Sequence, residues 1–470
     1  MAIARVRPSQ GEAKVSPEGG PQPRRRLIFA VVSMALFMAS VDQTIVATAL
    51  GSLQHDLHTA VNWSSWTITI YALGQIVAMP TAGAISDMYG RKKVFIGAVV
   101  LFTTASLCCG LAGNIYVLVA LRAVQALGGG AFMPSATGIV ADLFGRDRDR
   151  AVGLFTSVFP IGGIVGPVLG GIFVTYWSWR GIFLVNVPVG IVLCCLAVAF
   201  VPGGSKKSAN RLDLPGIGLL AAALLGLMLA ISYLGSASAS PLHPSFLLLF
   251  GGGLIAMMAF VRHSGRAAAP FVPLRLLAGR DFAIMNVINF LVGAAILGFG
   301  ALVPLYAEDR YHLPTLAAGT LLTARAIGMI TVAALAAFAL RRTGYRLPML
   351  VGLSLAAVGL TLTSIGPPVF GPYGWLAAAA ALTGVGLGMA LPASNNATLQ
   401  RAPENTAAVA GLRGMFRQSG GITGISLITA VAARSADPGL AIARSFLALA
   451  VVLVLLLPAV FLVPDHRGQW

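Results

Sequence analysis

Apolar runs long enough to span a bilayer recur along this chain from residue 27 to residue 463, and they leave it few folds to adopt. A helix needs about 20 such residues to cross the hydrocarbon, and roughly fourteen runs of that kind can be placed. They fall at 27–50, 64–85, 94–112, 115–141, 151–173, 181–201, 214–234, 245–261, 281–306, 315–340, 347–365, 373–396, 406–433 and 441–463. Only 10% of the residues are charged, too few to cover a soluble domain of 470 residues. Inside a bilayer the backbone must satisfy itself, so runs of this length predict an all-α integral membrane fold.

The net charge of +17 raises the question of a nucleic-acid partner, and its placement answers it. With the N-terminus inside, cytoplasmic segments hold about 24 Lys and Arg and external loops about 3, the asymmetry of the positive-inside rule. The basic groups Arg24–Arg26, Arg91–Lys93, Arg146–Arg150, Lys206–Arg211 and Arg341–Arg346 all fall on one side. The basicity therefore sets topology, with both termini cytoplasmic, and no nucleic acid is expected. Residues 1–26 are polar and lack a small-residue cleavage site, which predicts a disordered tail before an uncleaved first helix. Two adjacent cysteine pairs, Cys108–Cys109 and Cys194–Cys195, lie in apolar runs without a neighbouring histidine, so packing rather than metal binding is expected. No cofactor is implied, and the absence of a GxxxxGK[ST] loop argues against ATP as the energy source.

Interruptions at 202–213 and 262–280 bracket two runs. The chain thus divides into a tail at 1–26, a six-helix block at 27–201, a linker with two helices at 202–280, a second six-helix block at 281–463 and a tail at 464–470. GAISDMYGRKK, residues 83–93, joins the second and third runs. There Gly83 and Gly90 permit a tight turn, Asp87 can accept hydrogen bonds from a helix N-terminus or an arginine, and Arg91 to Lys93 meet headgroups. This pattern predicts a conformational gate built on Asp87, Gly83, Gly90 and Arg91. In GGIVGPVLGG, residues 162–171, six of ten positions are glycine or proline. Gly162, Gly166, Pro167, Gly170 and Gly171 predict a bent, closely packed helix at the seam between two halves that shift.

These segments resemble the major facilitator superfamily. The 83–93 loop is similar to its G-x-x-x-D-R-x-G-R-[RK] pattern, with Met88 where arginine is usual. LRAVQALGGG at 121–130 resembles the fourth-helix R-x-x-Q-G-x-G-G pattern, with Ala126 in place of a glycine. GGIVGPVLGG looks like the fifth-helix signature of drug:proton antiporters. DQTIVATAL at 42–50 and WRGIFLVNVPVG at 179–190 resemble patterns of the fourteen-helix branch. The resemblance covers residues 27–463. It implies two six-helix bundles with two extra helices between them, in a multidrug efflux antiporter.

An ionisable residue inside a membrane is a functional candidate by default. Among the 15 acidic residues, Asp42 is the one clearly within an apolar run, and it is the expected proton-coupling acid, with Arg122 as its modulator. A carboxyl group held away from water takes up protons more readily. Arg325, Arg413 and Arg417 are further cations inside apolar runs, and each should face a partner or a cavity rather than lipid. Asn289, Asn395, Asn396, Gln75 and Gln125 either line a cavity or bond neighbouring helices, and the position of the Asn395–Asn396 pair near a helix end favours bonding. Trp63 and Trp66 are expected as interfacial anchors. Tyr71, Gln125, Asn289, Arg325 and Arg417 are the expected cavity set.

The resulting expectation is a monomeric proton-coupled exporter of drug-like small molecules in the cytoplasmic membrane. A periplasmic adaptor is left open, and a metabolite facilitator on the same fold is the alternative. A membrane enzyme would need clustered acids, histidines or a metal set, whereas the six histidines are dispersed.

Overall fold

The computed structural model describes residues 22–203, 213–234, 240–267, 270, 279–367, 371–400 and 406–463, apart from residue 60. Among the described residues all regular structure is helical. The long helices are α1 Gln22–Ile45, α2 Val61–Tyr89, α3 Arg91–Gly110, α4 Ile115–Phe144, α5 Arg148–Tyr176, α6 Gly181–Phe200 and α7 Leu214–Leu234. They continue as α8 Pro244–Arg266, α9 Arg280–Tyr311, α10 Thr315–Thr343, α11 Arg346–Ile365, α12 Pro372–Leu399, α13 Thr406–Ala433 and α14 Pro438–Leu455. Twelve of the described helices are long and apolar enough to cross a membrane. The other two long ones, α10 and α13, have 29 and 28 residues, and α10 contributes a shorter apolar stretch, Ala317–Ala333.

Local chemistry sets the helix ends. The Asn114 side chain accepts from the Tyr116 amide to start α4, and Asp437 accepts from Leu440 to start α14. Gly90 takes φ +101° between α2 and α3, a conformation that residues with a Cβ rarely adopt. The helix α1 begins at Gln22, so Gln22 to Arg26 are helical rather than part of a disordered tail. Arginine is a good helix former, and the apolar run that follows anchors this turn. The rest of the 1–26 tail, the 464–470 tail and much of the two interruptions lie outside the described residues.

The helices pack as two bundles. In the first, α1 lies on α5, and α2, α3 and α4 pack on one another, with α6 against α3. In the second, α12 lies between α10 and α11, α9 packs on α13, and α14 lies on α11. The α7–α8 pair packs chiefly on itself, with α7 touching α2 and α13. The bundles meet where α13 contacts α2 and α4, and where α10 contacts α5. Apolar side chains also cover the outside, as with Leu248, Ile255 and Met258 on α8 and Ile191, Val192 and Val198 on α6. An apolar exterior suits a lipid solvent. Trp63 is partly exposed against Tyr116, with ring centroids 4.7 Å apart.

The glycine-rich segment of α5 corrects an expectation. Gly162, Gly166 and Gly170 face α1 of the same bundle, not the seam between bundles. A Cβ at Gly166 would strike Thr44 Oγ1, and one at Gly170 would strike Thr48 Oγ1. The helix runs unbroken past Pro167, and its interruption is at Ser157. The three glycines repeat every four residues and so make one stripe, while Gly163, Gly171 and Pro167 turn away from it. Gly166→Leu is expected to force α1 and α5 apart and cost about 1–3 kcal/mol or more. Gly163→Leu enters open space and should leave thermal stability nearly unchanged. Equal melting temperatures for the two variants in detergent would refute the stripe.

Candidate functional site: a buried ion pair, a central cavity and a closed end

Asp42 and Arg122 form an ion pair at 2.6 Å with both side chains fully buried. Five helices of the first bundle build its surroundings. Asp42 comes from α1, Arg122 and Gln125 from one face of α4, Ser106 from α3 and Asn186 from α6. From α2, the Thr67 carbonyl accepts from Arg122 Nε at 3.2 Å. Tyr71 of the same helix lies under the guanidinium, 4.0 Å from its ring centroid. Arg122 Nη1 donates to Asp42 Oδ2 and to Gln125 Oε1 (2.8 Å). Gln125 Nε2 and Asn186 Nδ2 each donate to Asp42 Oδ1 at 3.0 Å, and both also reach Ser106 Oγ. Both carboxylate oxygens are thus served by donors. Arg122 Nη2 is buried with no hydrogen-bond partner among the described residues.

A cavity lies between the two bundles. Its wall includes Gln75, Phe159, Met329, Asn395, Arg417 and Gln418, from α2, α5, α10, α12 and α13. Its volume is about 60 Å³, room for a few waters in this conformation. Of the expected cavity set, Arg417 is on this wall. Tyr71 and Gln125 belong instead to the ion-pair site, because the buried guanidinium takes their ring face and amide. Asn289 is also displaced: its side chain bonds the Arg413 carbonyl and, at 3.3 Å, the Arg413 guanidinium. Arg325 lies behind the wall, donating to the carbonyl of the wall residue Ile296 at 2.9 Å. Asn395 lines the cavity, the less favoured of the two roles its nearness to a helix end suggested. Asp42 and Arg122 are not on the wall, but Gln75 is, one turn along α2 from Tyr71.

The end of the molecule that bears the basic loops is closed by two clasps. Asp87 Oδ2 of α2 accepts from the Ala408 amide at 2.9 Å, capping the first turn of α13. Arg91 Nη2 stands 3.4 Å from Asp87 Oδ1, and its Nη1 pairs with Asp142 and donates to the Gly138 carbonyl. Gly83 proves to be a contact glycine within α2 rather than a turn residue, since a Cβ there would enter the backbone of Ala407 and Ala408. The second clasp escaped the sequence reading. Asp149 on α5 accepts from the Tyr345 hydroxyl at 2.6 Å and from Gln400 at 3.2 Å, while Asn396 donates to its carbonyl at 2.9 Å. Arg148 adds a bond to the Leu399 carbonyl at 3.0 Å. Asp149 looked like one more loop charge because its partners lie about 200 residues or more away.

Two helical bundles around a shared cavity, with a buried ion pair in one and clasps between them at one end, define a membrane transporter. The comparisons with known proteins agree. Residues 32–425 and 285–469 match the Major Facilitator Superfamily, and the chain belongs to it. It is therefore a multi-pass membrane transporter and not an enzyme. It is 29% identical to the multidrug transporter protein MdtP of Bacillus subtilis, over 89% of this chain and 77% of that one. It is 30% identical to the cephamycin export protein CmcT of Amycolatopsis lactamdurans, over 84% of this chain and 83% of that one. The fold is similar to that of the human organic anion transporter MFSD10, with a TM-score of 0.68 at 16% identity, covering 93% of this chain and 100% of the other.

Proposed function

We propose that this protein is a proton-coupled exporter of drug-like, amphipathic small molecules, working as a monomer in the cytoplasmic membrane with both termini cytoplasmic. On this reading α10 and α13 also cross the bilayer, making fourteen spans, because both line the cavity and are long enough to do so. The buried Asp42–Arg122 pair is the observation that carries the coupling. A proton on Asp42 cancels its charge and frees Arg122, so the packing of α1 against α4 differs between the two protonation states. Coupling requires that proton and substrate each prefer one conformation. Tyr71 and Gln75, on one face of α2, link the pair to the cavity wall. On this reading the basic end is cytoplasmic, and its sealing supports a cytoplasm-closed state. The names of the two curated relatives support efflux and, with it, a contribution to antibiotic resistance.

Everted membrane vesicles test the reading. Adding a transported compound to vesicles with an acidified lumen should alkalinise that lumen, and Asp42→Asn should abolish the signal. Transport that continues unchanged after a protonophore collapses the gradient would refute proton coupling.

A further inference from the structure

The second bundle holds three interior arginines, and among the described residues no carboxylate lies within ion-pair distance of any of them. Arg413 is served by neutral groups only, through Ser394, Thr398 Oγ1 at 2.7 Å and Asn289. Arg325 donates to a backbone carbonyl. Arg417 has weaker company. Its Nη2 reaches the Met133 sulfur at 3.4 Å, and its guanidinium lies 5.9 Å from the Phe159 ring centroid. Neutral acceptors satisfy hydrogen bonds without cancelling charge, so the second bundle keeps a positive field in a medium that screens poorly.

That field meets the cavity at Arg417. On the same wall, Asn395 Nδ2 is buried and has no hydrogen-bond partner among the described residues, leaving a second donor unused. Among the described residues no acid lines this cavity. The remainder of the wall is largely apolar, with Phe159, Leu297, Met329 and Leu391. An unspent guanidinium and an unspent amide N–H at the edge of an apolar wall fit one kind of ligand. We infer that the cavity, once widened beyond its closed volume of about 60 Å³, selects amphipathic organic anions, whose carboxylate or sulfonate binds Arg417 and Asn395 while the apolar body lies against Phe159 and Met329. A cationic amphiphile of the same body meets Arg417 with like charge and finds no counter-charge.

The inference rests on the transporter reading above, and equilibrium binding separates the two because it needs no proton gradient. Dansyl-glycine, dansylamide and N-(2-aminoethyl)dansylamide present one fluorophore as an anion, a neutral molecule and a cation. Titrated against the protein in nanodiscs, the anion is expected to bind about tenfold or more tightly than the cation. Arg417→Gln should reduce that preference to about threefold or less, and Arg417→Lys should retain most of it. Asn395→Leu should weaken the anion severalfold while leaving the neutral compound within about twofold. The inference is overturned if the cation binds as well as the anion, if no saturable anion binding occurs, or if Arg417→Gln leaves the preference intact. Should Arg417→Gln fail to fold, the wild-type preference and the Arg417→Lys titration decide the matter. Anion binding without gradient-driven transport would sink the coupling and leave this inference standing.

Discussion

Asp42→Asn is expected to destabilise the protein more than Arg122→Gln, although each removes one partner of the same ion pair. Breaking a buried pair leaves the survivor's charge without compensation, at a cost of about 3–5 kcal/mol. The two survivors differ chemically. A carboxylate left alone can take a proton and become neutral, and Gln125 and Asn186 remain to bond it. A guanidinium cannot shed its proton, so Arg122 in Asp42→Asn stays charged between the Tyr71 ring and an amide. The double variant Asp42→Asn/Arg122→Gln removes both charges and should recover a large part of the loss. Melting temperatures in detergent should therefore rank wild type highest, then the double variant or Arg122→Gln, with Asp42→Asn lowest. All three variants should lose gradient-driven transport about tenfold or more, the double variant despite its recovered stability. A double variant that transports at the wild-type rate would show that the pair only holds helices together.

The helices were legible from the apolar runs, because lipid imposes one solution on such a run and little else competes. The predicted start at 214 and end at 433 coincide with the start of α7 at Leu214 and the end of α13 at Ala433. Asp42 and Arg122 were legible too, since a charge inside an apolar run must find a partner. Their shell was less so. Asn186 and Ser106 look like ordinary helix polar groups until α6 and α3 bring them to one carboxylate. Tyr71 and Gln125 were assigned to the cavity because sequence shows depth in the membrane but not which face of a helix turns toward it. The same gap misplaced the glycine stripe. Small residues every four positions announce close packing, yet α1 as the partner became evident only once Ser40, Thr44 and Thr48 were seen against them. Asp87 was readable from its loop, whereas Asp149 depends on residues of the other bundle and left no local trace.

Removing the two clasps should open the basic end in steps. Asp87 holds the α13 N-terminus with a charge-assisted bond, and Asp149 holds Tyr345 and Gln400 with two more. Bonds to charged groups contribute about 1.5–3 kcal/mol each, so losing one clasp shifts the closed-to-open ratio by roughly tenfold or more. Losing both should move most molecules to the open form. The close approach at Gly83 makes no demand on charge and persists in Asp87→Ala, so neither single variant should open fully. Spin labels on cysteines placed at Lys93 and Arg342, exposed positions on opposite bundles, report the separation in a background free of the four native cysteines. Wild type should give chiefly the short distance. Asp87→Ala and Asp149→Ala should each add a long-distance population, and the double variant should be dominated by it. Asp87→Asn keeps an oxygen for the Ala408 amide and should lie between wild type and Asp87→Ala. Identical distance distributions in wild type and the double variant would mean that apolar contact between α2 and α13, not the acids, keeps this end shut.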